Sequence, residues 1–173
     1  AEVHGLGNRV IRIRGQKKLK GVRIRVIPDR IEAATFLFAG AITRGDLVVN
    51  NAPPEHLHAV TDVLLRIGAR VEYEGDCRFR VRGAERYRGA QIRTEVFPGF
   101  PTDCQAPLSA LLTLCEGDSV IEETIYTERF KHIPELRRLG AKVRQEGASL
   151  CVSGVERLSG APVMASDLRC GAA

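Results

Sequence analysis

Tryptophan is absent from this chain of 173 residues, and aromatic residues make up only 5% of it. Proteins that bind single-stranded nucleic acid stack the bases on aromatic side chains, so this composition disfavours that class. No apolar run approaches the ~20 residues that a membrane-spanning helix needs, and neither a signal peptide nor a transit peptide opens the chain. We therefore expect no nucleic acid and no membrane among its partners.

The sequence signatures of metal, nucleotide and hydrolase sites are also missing. The chain has no CxxC pair, no cysteine–histidine cluster with zinc spacing, no Walker loop, no GxGxxG after a strand, no GxSxG and no HExxH. An odd number of cysteines without close pairing is typical of reduced thiols. The cysteines are Cys77, Cys104, Cys115, Cys151 and Cys170. We expect a cytoplasmic protein that uses neither a metal ion nor a cofactor.

Positive charge is concentrated near the start of the chain. The net charge is +5, and much of the excess lies in RVIRIRGQKKLKGVRIR, residues 9–25. A basic balance suits nucleotides, phosphates or nucleic acid as partners. A solvated strand face explains such a run equally well, so the charge alone does not choose between these readings.

A glycine pair recurs three times, each time after a strand-like run. The pairs are Gly15 and Gly21, Gly83 and Gly89, and Gly154 and Gly160. The segments IGARV (67–71) and LGAKV (139–143) precede the second and third pairs, so the pattern is a structural repeat. It divides the chain into the tail of one unit (1–21), two complete units (22–89 and 90–160) and the start of another (161–173). We expect one incomplete domain of a longer protein, because the chain begins and ends inside this frame.

Each complete unit is predicted to have the order β-α-β-α-β-β. Alternation of apolar and polar residues predicts strands, and apolar residues at helical spacing predict helices. In the first unit the predictions are a strand at 22–27, a helix at 30–43, a strand at 47–49, a helix at 53–67 and a hairpin of 70–73 with 78–81. In the second they are a strand at 91–96, a helix at 102–114, a strand at 119–123, a helix at 134–139 and a hairpin of 142–144 with 149–152.

The first helix of the first unit is apolar over most of its surface, with Phe36 and Leu37 among its residues, so we expect it to be buried. Units that bury their first helices against each other predict three units around a pseudo-threefold axis, with helices inside and sheets outside. The second unit differs by an inserted loop, FPGFP at 97–101, between its first strand and first helix. Loops at such junctions expose backbone beside a helix N-terminus and are common ligand sites.

Asp29, Asp103 and Asp167 occupy the same place, just before the first helix of a unit. Aspartate is among the best N-cap residues, so capping alone explains all three. Asp103 differs because the inserted loop stands directly in front of it. Its residue type and place therefore suit either a cap or a functional carboxylate.

Arg129 lies on the connection between the second strand and second helix of its unit. An arginine there can bind a phosphate or carboxylate through its planar guanidinium group, although a solvated loop explains it too. His132 is a lone imidazole, which favours a structural role. Arg169 follows Asp167 closely, which suggests either an ion pair or a shared anion site. Cys170 has no base near it in sequence, and we expect it to be inert.

Four stretches carry a closer likeness to a known family. They are RVIPDRIEAATFLFAGAITRGD, FPGFPTDCQAPLSALLTLCEG, ETIYTERFKHIPELRRLGAKV and GVERLSGAPVMASDLR. Through them the chain resembles the bacterial UDP-N-acetylglucosamine 1-carboxyvinyltransferases, within the EPSP synthase-like enolpyruvyl transferases, over essentially its whole length. The resemblance implies a mixed α/β fold of two similar domains, each an inside-out α/β barrel of three β-α-β-α-β-β units. It implies transfer of the enolpyruvyl group of phosphoenolpyruvate to the 3-hydroxyl of UDP-N-acetylglucosamine with release of phosphate, the first committed step of peptidoglycan synthesis.

The resemblance also implies roles for five positions. Asp103, in the FPTDxQA segment, contacts the sugar and is the proposed base that takes the proton of the 3-hydroxyl. Ile125 contacts the nucleotide sugar, and Arg129 lies near the substrate phosphates. Asp167 and Arg169 line the cleft between the two domains.

Some parts of the family's machinery have no match here. Its proton-donating cysteine lies on a loop of the other domain beside a basic motif, and no stretch of this chain matches that motif. The N-terminal lysine and the last-repeat arginine that help hold phosphoenolpyruvate are likewise missing. We therefore expect this chain to be inactive alone, with the catalytic-loop domain of the same protein as its partner.

Two alternatives remain open from the sequence. The first is 3-phosphoshikimate 1-carboxyvinyltransferase, a sister enzyme with the same fold, although ETIYTERFKHIPEL fits the UDP-N-acetylglucosamine enzyme better. The second is a non-catalytic repeat module that binds anions or RNA through its basic N-terminal strands. Binding of that kind weakens steeply as salt rises.

Overall fold

The strands form four small sheets in the computed structural model, which describes residues 1–173. They are β1 (Glu2–His4), β2 (Arg12–Arg14), β3 (Asp46–Val49), β4 (Arg70–Gly75), β5 (Arg78–Arg82), β6 (Tyr87–Arg88), β7 (Gln91–Arg93), β8 (Cys115–Glu116), β9 (Asp118–Glu122), β10 (Lys142–Glu146) and β11 (Ser149–Ser153). The sheet orders are β1-β2, β3-β5-β4, β6-β8 and β10-β11-β9-β7. Strand β7 runs parallel to β9, and β6 runs parallel to β8, while the other pairs are antiparallel.

Five α-helices and two short 3-10 turns connect these strands. The helices are α1 (Arg30–Ile42), α2 (His58–Ile67), α3 (Gln105–Leu112), α4 (Ile133–Arg138) and α5 (Leu168–Gly171), and the 3-10 turns are Pro54–His56 and Thr102–Cys104. Helix α2 ends at Gly68, whose φ of 101° is the left-handed conformation that glycine adopts without strain. The end of α2 is therefore the one that the glycine in the sequence predicts.

The predicted elements of the second unit are found in the predicted order, as β7, α3, β9, α4, β10 and β11, with the unpredicted two-residue strand β8 between α3 and β9. In the first unit the predicted strand at 22–27 is wrong. That segment forms no ladder, and Val22, Ile24 and Val26 are all exposed. An alternating pattern forms a half-buried strand only where one face meets a core and one edge meets a partner. Neither condition is met here, and β3 remains an edge strand.

The unpaired edge of β3 has a consequence for helix α1. Phe36, predicted to be buried, is 50% exposed. It lines an open groove of about 460 Å³ between α1 and β3, together with Ala33, Leu47 and Val49. The helix is otherwise buried as predicted, because its remaining apolar side chains face the core.

The core lies where α1 and α3 pack against each other and against the inner faces of the sheets. All eight residues of α3 are buried, and α1 buries seven. The outward side chains of β4 and β10 are exposed, so the first helices of the two units lie inside and the sheets outside, as predicted. The strands form no closed barrel. The basic segment 9–25 is exposed along its length, as a solvated face requires.

Close backbone contact explains part of the glycine repeat. A Cβ on Gly83 would lie 2.2 Å from the Cα of Arg44, and one on Gly154 would lie 1.6 Å from the carbonyl oxygen of Cys115. No side chain larger than hydrogen fits at either place. Gly83 and Gly154, each the first glycine of its pair, therefore let the end of the hairpin pack against the backbone that precedes β3 or β9 of the same unit.

Candidate active site

Asp29, Asp103 and Asp167 stand at equivalent places in the repeat, but their side chains make different bonds. Asp29 accepts a hydrogen bond from a backbone N–H at the start of α1, at 2.8 Å. Asp167 accepts two from the start of α5, at 2.9 and 2.8 Å. Both are N-caps. Asp103 lies inside the 3-10 turn Thr102–Cys104 and makes no capping bond, so of the two roles that its place suits, a cap or a functional carboxylate, the cap is excluded.

Two arginines from distant parts of the chain hold the Asp103 carboxylate instead. Arg129 Nη1 donates to Asp103 Oδ1 at 2.7 Å, and Arg169 Nε lies 3.1 Å from the same oxygen. All three side chains are between 24% and 34% exposed. A partly exposed ion pair contributes only ~0.2–1 kcal/mol to stability, so stability gives little reason for three charged groups to converge here. The one hydrogen bond within the chain to the Asp103 side chain is to Oδ1, so Oδ2 is left able to accept a hydrogen bond from a ligand.

The guanidinium group of Arg129 is fixed on several sides. Besides Asp103, its Nη1 donates to Thr102 Oγ1 at 3.2 Å. Its Cζ lies 4.4 Å from the centroid of the Tyr126 ring, within the range of a cation–π contact. The backbone N–H of Arg129 donates to the carbonyl of Tyr126 at 2.9 Å, which closes a turn in the loop between β9 and α4. The arginine is therefore held in place before any ligand binds.

A pocket of about 390 Å³ brings three of the predicted site residues together. Its wall contains Ile125, Tyr126, Thr127, Glu128, Arg129, Lys131, Asp167 and Cys170. Arg129 joins this pocket to Asp103, and Asp103 joins it to Arg169. All five residues that the resemblance singles out thus belong to one connected cluster. The cations Arg129 and Lys131 suit an anionic group of a ligand, and a carboxylate at hand suits proton transfer.

Asp103 also lies in the wall of a second pocket, of about 550 Å³, which includes Arg30, His56 and Phe97. The guanidinium carbon of Arg30 is 5.1 Å from the centroid of the Phe97 ring. The inserted loop at 97–101 therefore contributes directly to the surroundings of Asp103.

Arg169 and Asp167 do not form the side-chain ion pair that their spacing suggests. Asp167 accepts from the backbone N–H of Arg169, while the guanidinium group reaches Asp103. Hydrogen bonding from the backbone N–H of Cys170 lowers the pKa of Asp167. Burial raises the pKa of the Cys170 thiol, which disfavours the thiolate and agrees with its expected inertness.

The interior behind the site contains two further titratable groups. His132 is buried, its Nε2 lies 3.3 Å from Ser109 Oγ, and burial lowers its pKa to about 4, against a smaller opposite effect of Asp167. A neutral imidazole held between two helices suits the structural role predicted for it. Burial raises the pKa of Cys104 to about 12, so this thiol beside Asp103 is unreactive.

Sequence reasoning missed Glu123, which is only 1% exposed. Its carboxylate accepts four hydrogen bonds, from the hydroxyls of Thr94 and Thr102 and from the backbone N–H groups of Ile125 and Tyr126. The only signal in the sequence is an acidic residue directly after a strand, and that signal gives no hint of burial.

No group of three or more His, Cys, Asp or Glu side chains is arranged to hold a metal ion. Helices long and apolar enough to cross a bilayer are also absent.

Comparison with known proteins places this cluster in a wider context. The chain is 49% identical over 173 residues to UDP-N-acetylglucosamine 1-carboxyvinyltransferase 2 of Geobacillus kaustophilus (strain HTA426), which covers 100% of this chain and 40% of that protein. It is 48% identical over 172 residues to UDP-N-acetylglucosamine 1-carboxyvinyltransferase of Nitratidesulfovibrio vulgaris (strain DSM 19637 / Miyazaki F), covering 99% of this chain and 41% of that protein. The chain thus spans about 40% of the length of these relatives.

The fold is similar to that of a solved enolpyruvyl transferase, NikO from Streptomyces tendae. The TM-score is 0.75 at 28% identity, and the match covers 86% of this chain and 36% of that one. The resemblance to enolpyruvyl transferases and the predicted fold class are confirmed by these matches. Residues 1–173 also match the family described as EPSP synthase (3-phosphoshikimate 1-carboxyvinyltransferase). With one family covering every residue and a solved enolpyruvyl transferase sharing the architecture, the chain belongs to the EPSP synthase (3-phosphoshikimate 1-carboxyvinyltransferase) family.

Proposed function

We propose that the protein containing this chain transfers the enolpyruvyl group of phosphoenolpyruvate to the 3-hydroxyl of UDP-N-acetylglucosamine and releases phosphate. The observation that carries the proposal is the state of Asp103, which caps no helix and is held through one oxygen by Arg129 and Arg169. Relatives that are 48% and 49% identical along this chain bear the name of that activity, which supports this substrate over shikimate 3-phosphate.

Asp103 is the base in this proposal. The sugar hydroxyl must lose its proton as its oxygen attacks the enol carbon, and a carboxylate within ~3 Å accepts that proton. Asp103 Oδ1 is occupied by the two guanidinium groups, so Oδ2 is the oxygen that meets the hydroxyl. Holding the carboxylate in place beforehand removes the cost of ordering it during the reaction.

The other members of the cluster bind the substrates. Arg129 and Lys131 supply positive charge in the wall of the 390 Å³ pocket, and in this proposal they bind a diphosphate or carboxylate. In this proposal Ile125 offers an apolar wall to the nucleotide sugar, and Asp167 and Arg169 line the cleft between the two domains. Guanidinium groups bind such anions through paired hydrogen bonds.

We further propose that residues 1–173 form one incomplete domain, with units at 22–89 and 90–160 between the tail of one unit (1–21) and the start of another (161–173). The catalytic-loop domain of the same protein then completes the cleft, which agrees with the chain spanning about 40% of its relatives. We expect this chain alone to be inactive. The proposed setting is the cytoplasm and the first committed step of peptidoglycan synthesis, with no nucleic acid or membrane as partner.

The test measures phosphate release by the full-length protein supplied with phosphoenolpyruvate and either UDP-N-acetylglucosamine or shikimate 3-phosphate. We expect turnover with the nucleotide sugar only, and none with residues 1–173 alone. Turnover with shikimate 3-phosphate alone would assign the protein to the sister reaction. Turnover by residues 1–173 would contradict the need for a second domain.

A further inference from the structure

Glu123 is a buried charged group at the centre of the site's framework. It directly follows β9, and its four hydrogen bonds reach three separate segments. Oε1 accepts from Thr94 Oγ1 at 2.7 Å and from the backbone N–H groups of Ile125 and Tyr126 at 2.9 and 3.0 Å. Oε2 accepts from Thr102 Oγ1 at 2.9 Å. A buried carboxylate is tolerated only with such partners.

The bond to Thr102 has a direction that matters for Arg129. A threonine hydroxyl has one hydrogen to donate, and here it donates that hydrogen to Glu123. The oxygen of Thr102 then presents a lone pair to Arg129 Nη1, 3.2 Å away. The same Nη1 donates to Asp103 Oδ1 at 2.7 Å. A continuous path of hydrogen bonds therefore runs from the buried Glu123 to the carboxylate proposed as the base.

The first unit has no carboxylate at the corresponding place. In the frame set by Gly45-Asp46 and Gly117-Asp118, Asn51 of the first unit stands where Glu123 does in the second. Asn51 is exposed and its side chain makes no hydrogen bond within the chain. The first unit keeps the same β-α-β-β core around it without a buried acid.

We infer that Glu123 is a positioning residue for enolpyruvyl transfer, acting through Thr102 to fix the guanidinium group of Arg129 beside Asp103. This inference rests on the proposed function. Glu123 also accepts hydrogen bonds from the backbone N–H groups of Ile125 and Tyr126, and these two residues form part of the wall of the 390 Å³ pocket.

Substitution by glutamine separates positioning from mere support. The glutamine side chain has one oxygen and one NH₂ group. The glutamine oxygen can still accept the three hydrogen bonds that Oε1 accepts in the wild type. Two of these come from backbone N–H groups, which can only donate, so the oxygen must lie on that side. The NH₂ group then faces Thr102, so the threonine hydroxyl loses its acceptor and turns its hydrogen elsewhere. Glu123→Gln therefore perturbs the bond to Arg129 while leaving most of the buried network intact.

The experiment is a double-mutant cycle in the full-length protein, with kcat and KM for UDP-N-acetylglucosamine measured by phosphate release. We expect Glu123→Gln to lower kcat/KM about tenfold, as the loss of a hydrogen bond to a charged group implies. In an Arg129→Ala background the same change should cost less than about twofold, because the group it positions is gone. Thr102→Val should behave like Glu123→Gln, and Thr102→Ser should keep activity within about twofold, since it keeps the hydroxyl.

Glu122→Gln is the matched control, because Glu122 is the neighbouring acid, is exposed and pairs only with Arg93 at 3.6 Å. We expect no change in kcat/KM. An equal loss from Glu123→Gln with and without Arg129 would show a purely structural role and overturn the inference, as would wild-type activity in Glu123→Gln. If Glu123→Gln lowers the folded yield, the Thr102→Val cycle decides by the same criterion. Absence of turnover in the unsubstituted protein would refute the proposed function, and this inference with it.

Discussion

The two complete units share a frame, but they differ at two places that belong to the site and its framework in the second unit. Before the first helix, Asp29 caps α1 in one unit, while Asp103 is held by two arginines in the other. After the second strand, an exposed Asn51 corresponds to the buried Glu123. At these places the first unit has a helix cap and an exposed amide, whereas the second has an ion-paired carboxylate and a buried one.

The difference begins with the inserted loop at 97–101. The loop is followed by the 3-10 turn Thr102–Cys104, which precedes α3. Asp103 therefore lies inside a turn and not at the N-cap of the helix. An aspartate placed there cannot reach the helix's free N–H groups as Asp29 does. Its carboxylate is thereby released for contacts with Arg129 and Arg169.

The largest expected effect is on kcat, and it should be seen on replacing Asp103 but not on replacing Asp29. In the full-length protein Asp103→Ala should lower kcat by roughly 10²–10⁴-fold, the range typical of losing a general base. Asp29→Ala should leave kcat within about twofold. Steady-state kinetics and the affinity for UDP-N-acetylglucosamine measure both. Lost affinity with nearly unchanged kcat in Asp103→Ala would make this residue an orienting group instead of a base.

The next effect tests what the units have in common. Gly154→Ala should destabilise the full-length protein by about 3 kcal/mol, at the upper end for forcing atoms into a packed place, because its Cβ would meet the Cys115 carbonyl oxygen at 1.6 Å. Gly160→Ala is the control, since nothing lies within 4 Å of its Cβ. Denaturant unfolding gives both values. Equal stability of the two variants would remove the packing explanation of the repeat.

A smaller effect concerns His132. It lies two residues before Pro134, and the corresponding residue of the first unit, two before Pro54, is the buried Ala52. The pKa of His132 is lowered from 6.5 to about 4 in the fold, mainly by burial. The unfolded chain binds more protons between these values, so stability is present above pH 6.5 and is lost as the pH falls toward 4.

Between pH 7 and pH 5 this loss amounts to about 2 kcal/mol of the free energy of unfolding. Urea unfolding of the full-length protein at both pH values measures it. His132→Gln should remove that part of the pH dependence, whatever it does to stability at pH 7. An unchanged pH dependence in His132→Gln would show that other groups cause it.

The smallest effect concerns the caps. Asp29→Ala should lower the free energy of unfolding by about 1 kcal/mol, the usual cost of losing an N-cap. Asp103→Ala removes no cap and leaves two arginines without their partner, so any stability change should come from charge and should shrink in high salt. Thermal unfolding at low and high salt distinguishes the two. A salt-independent loss of similar size in Asp103→Ala would indicate a hidden capping role.

Much of the fold could be predicted because its signals are local. The glycine frame, the apolar helices and the alternating hairpins each lie within a short window of sequence. The strand predicted at 22–27 does not form even though β3 keeps a free edge, because the alternation of Val22, Ile24 and Val26 does not by itself bring one face of the segment onto a core.

The site was less accessible to sequence reasoning. Residue type and the family resemblance pointed to Asp103 and Arg129, but the pairing of Arg169 with Asp103 joins segments far apart in the chain. Glu123 was missed because its meaning depends on burial and on Thr94 and Thr102, which only the folded chain brings to it. In both cases the missing information is three-dimensional contact.

The central claim is that Asp103 receives the proton of the substrate hydroxyl, and the structure of the full-length protein with UDP-N-acetylglucosamine bound tests it most directly. We expect the 3-hydroxyl oxygen of the sugar within about 3.2 Å of Asp103 Oδ2, with Arg129 and Arg169 still on Oδ1. A sugar bound with its 3-hydroxyl more than about 4 Å from both Asp103 oxygens, beyond hydrogen-bond reach, would contradict the claim.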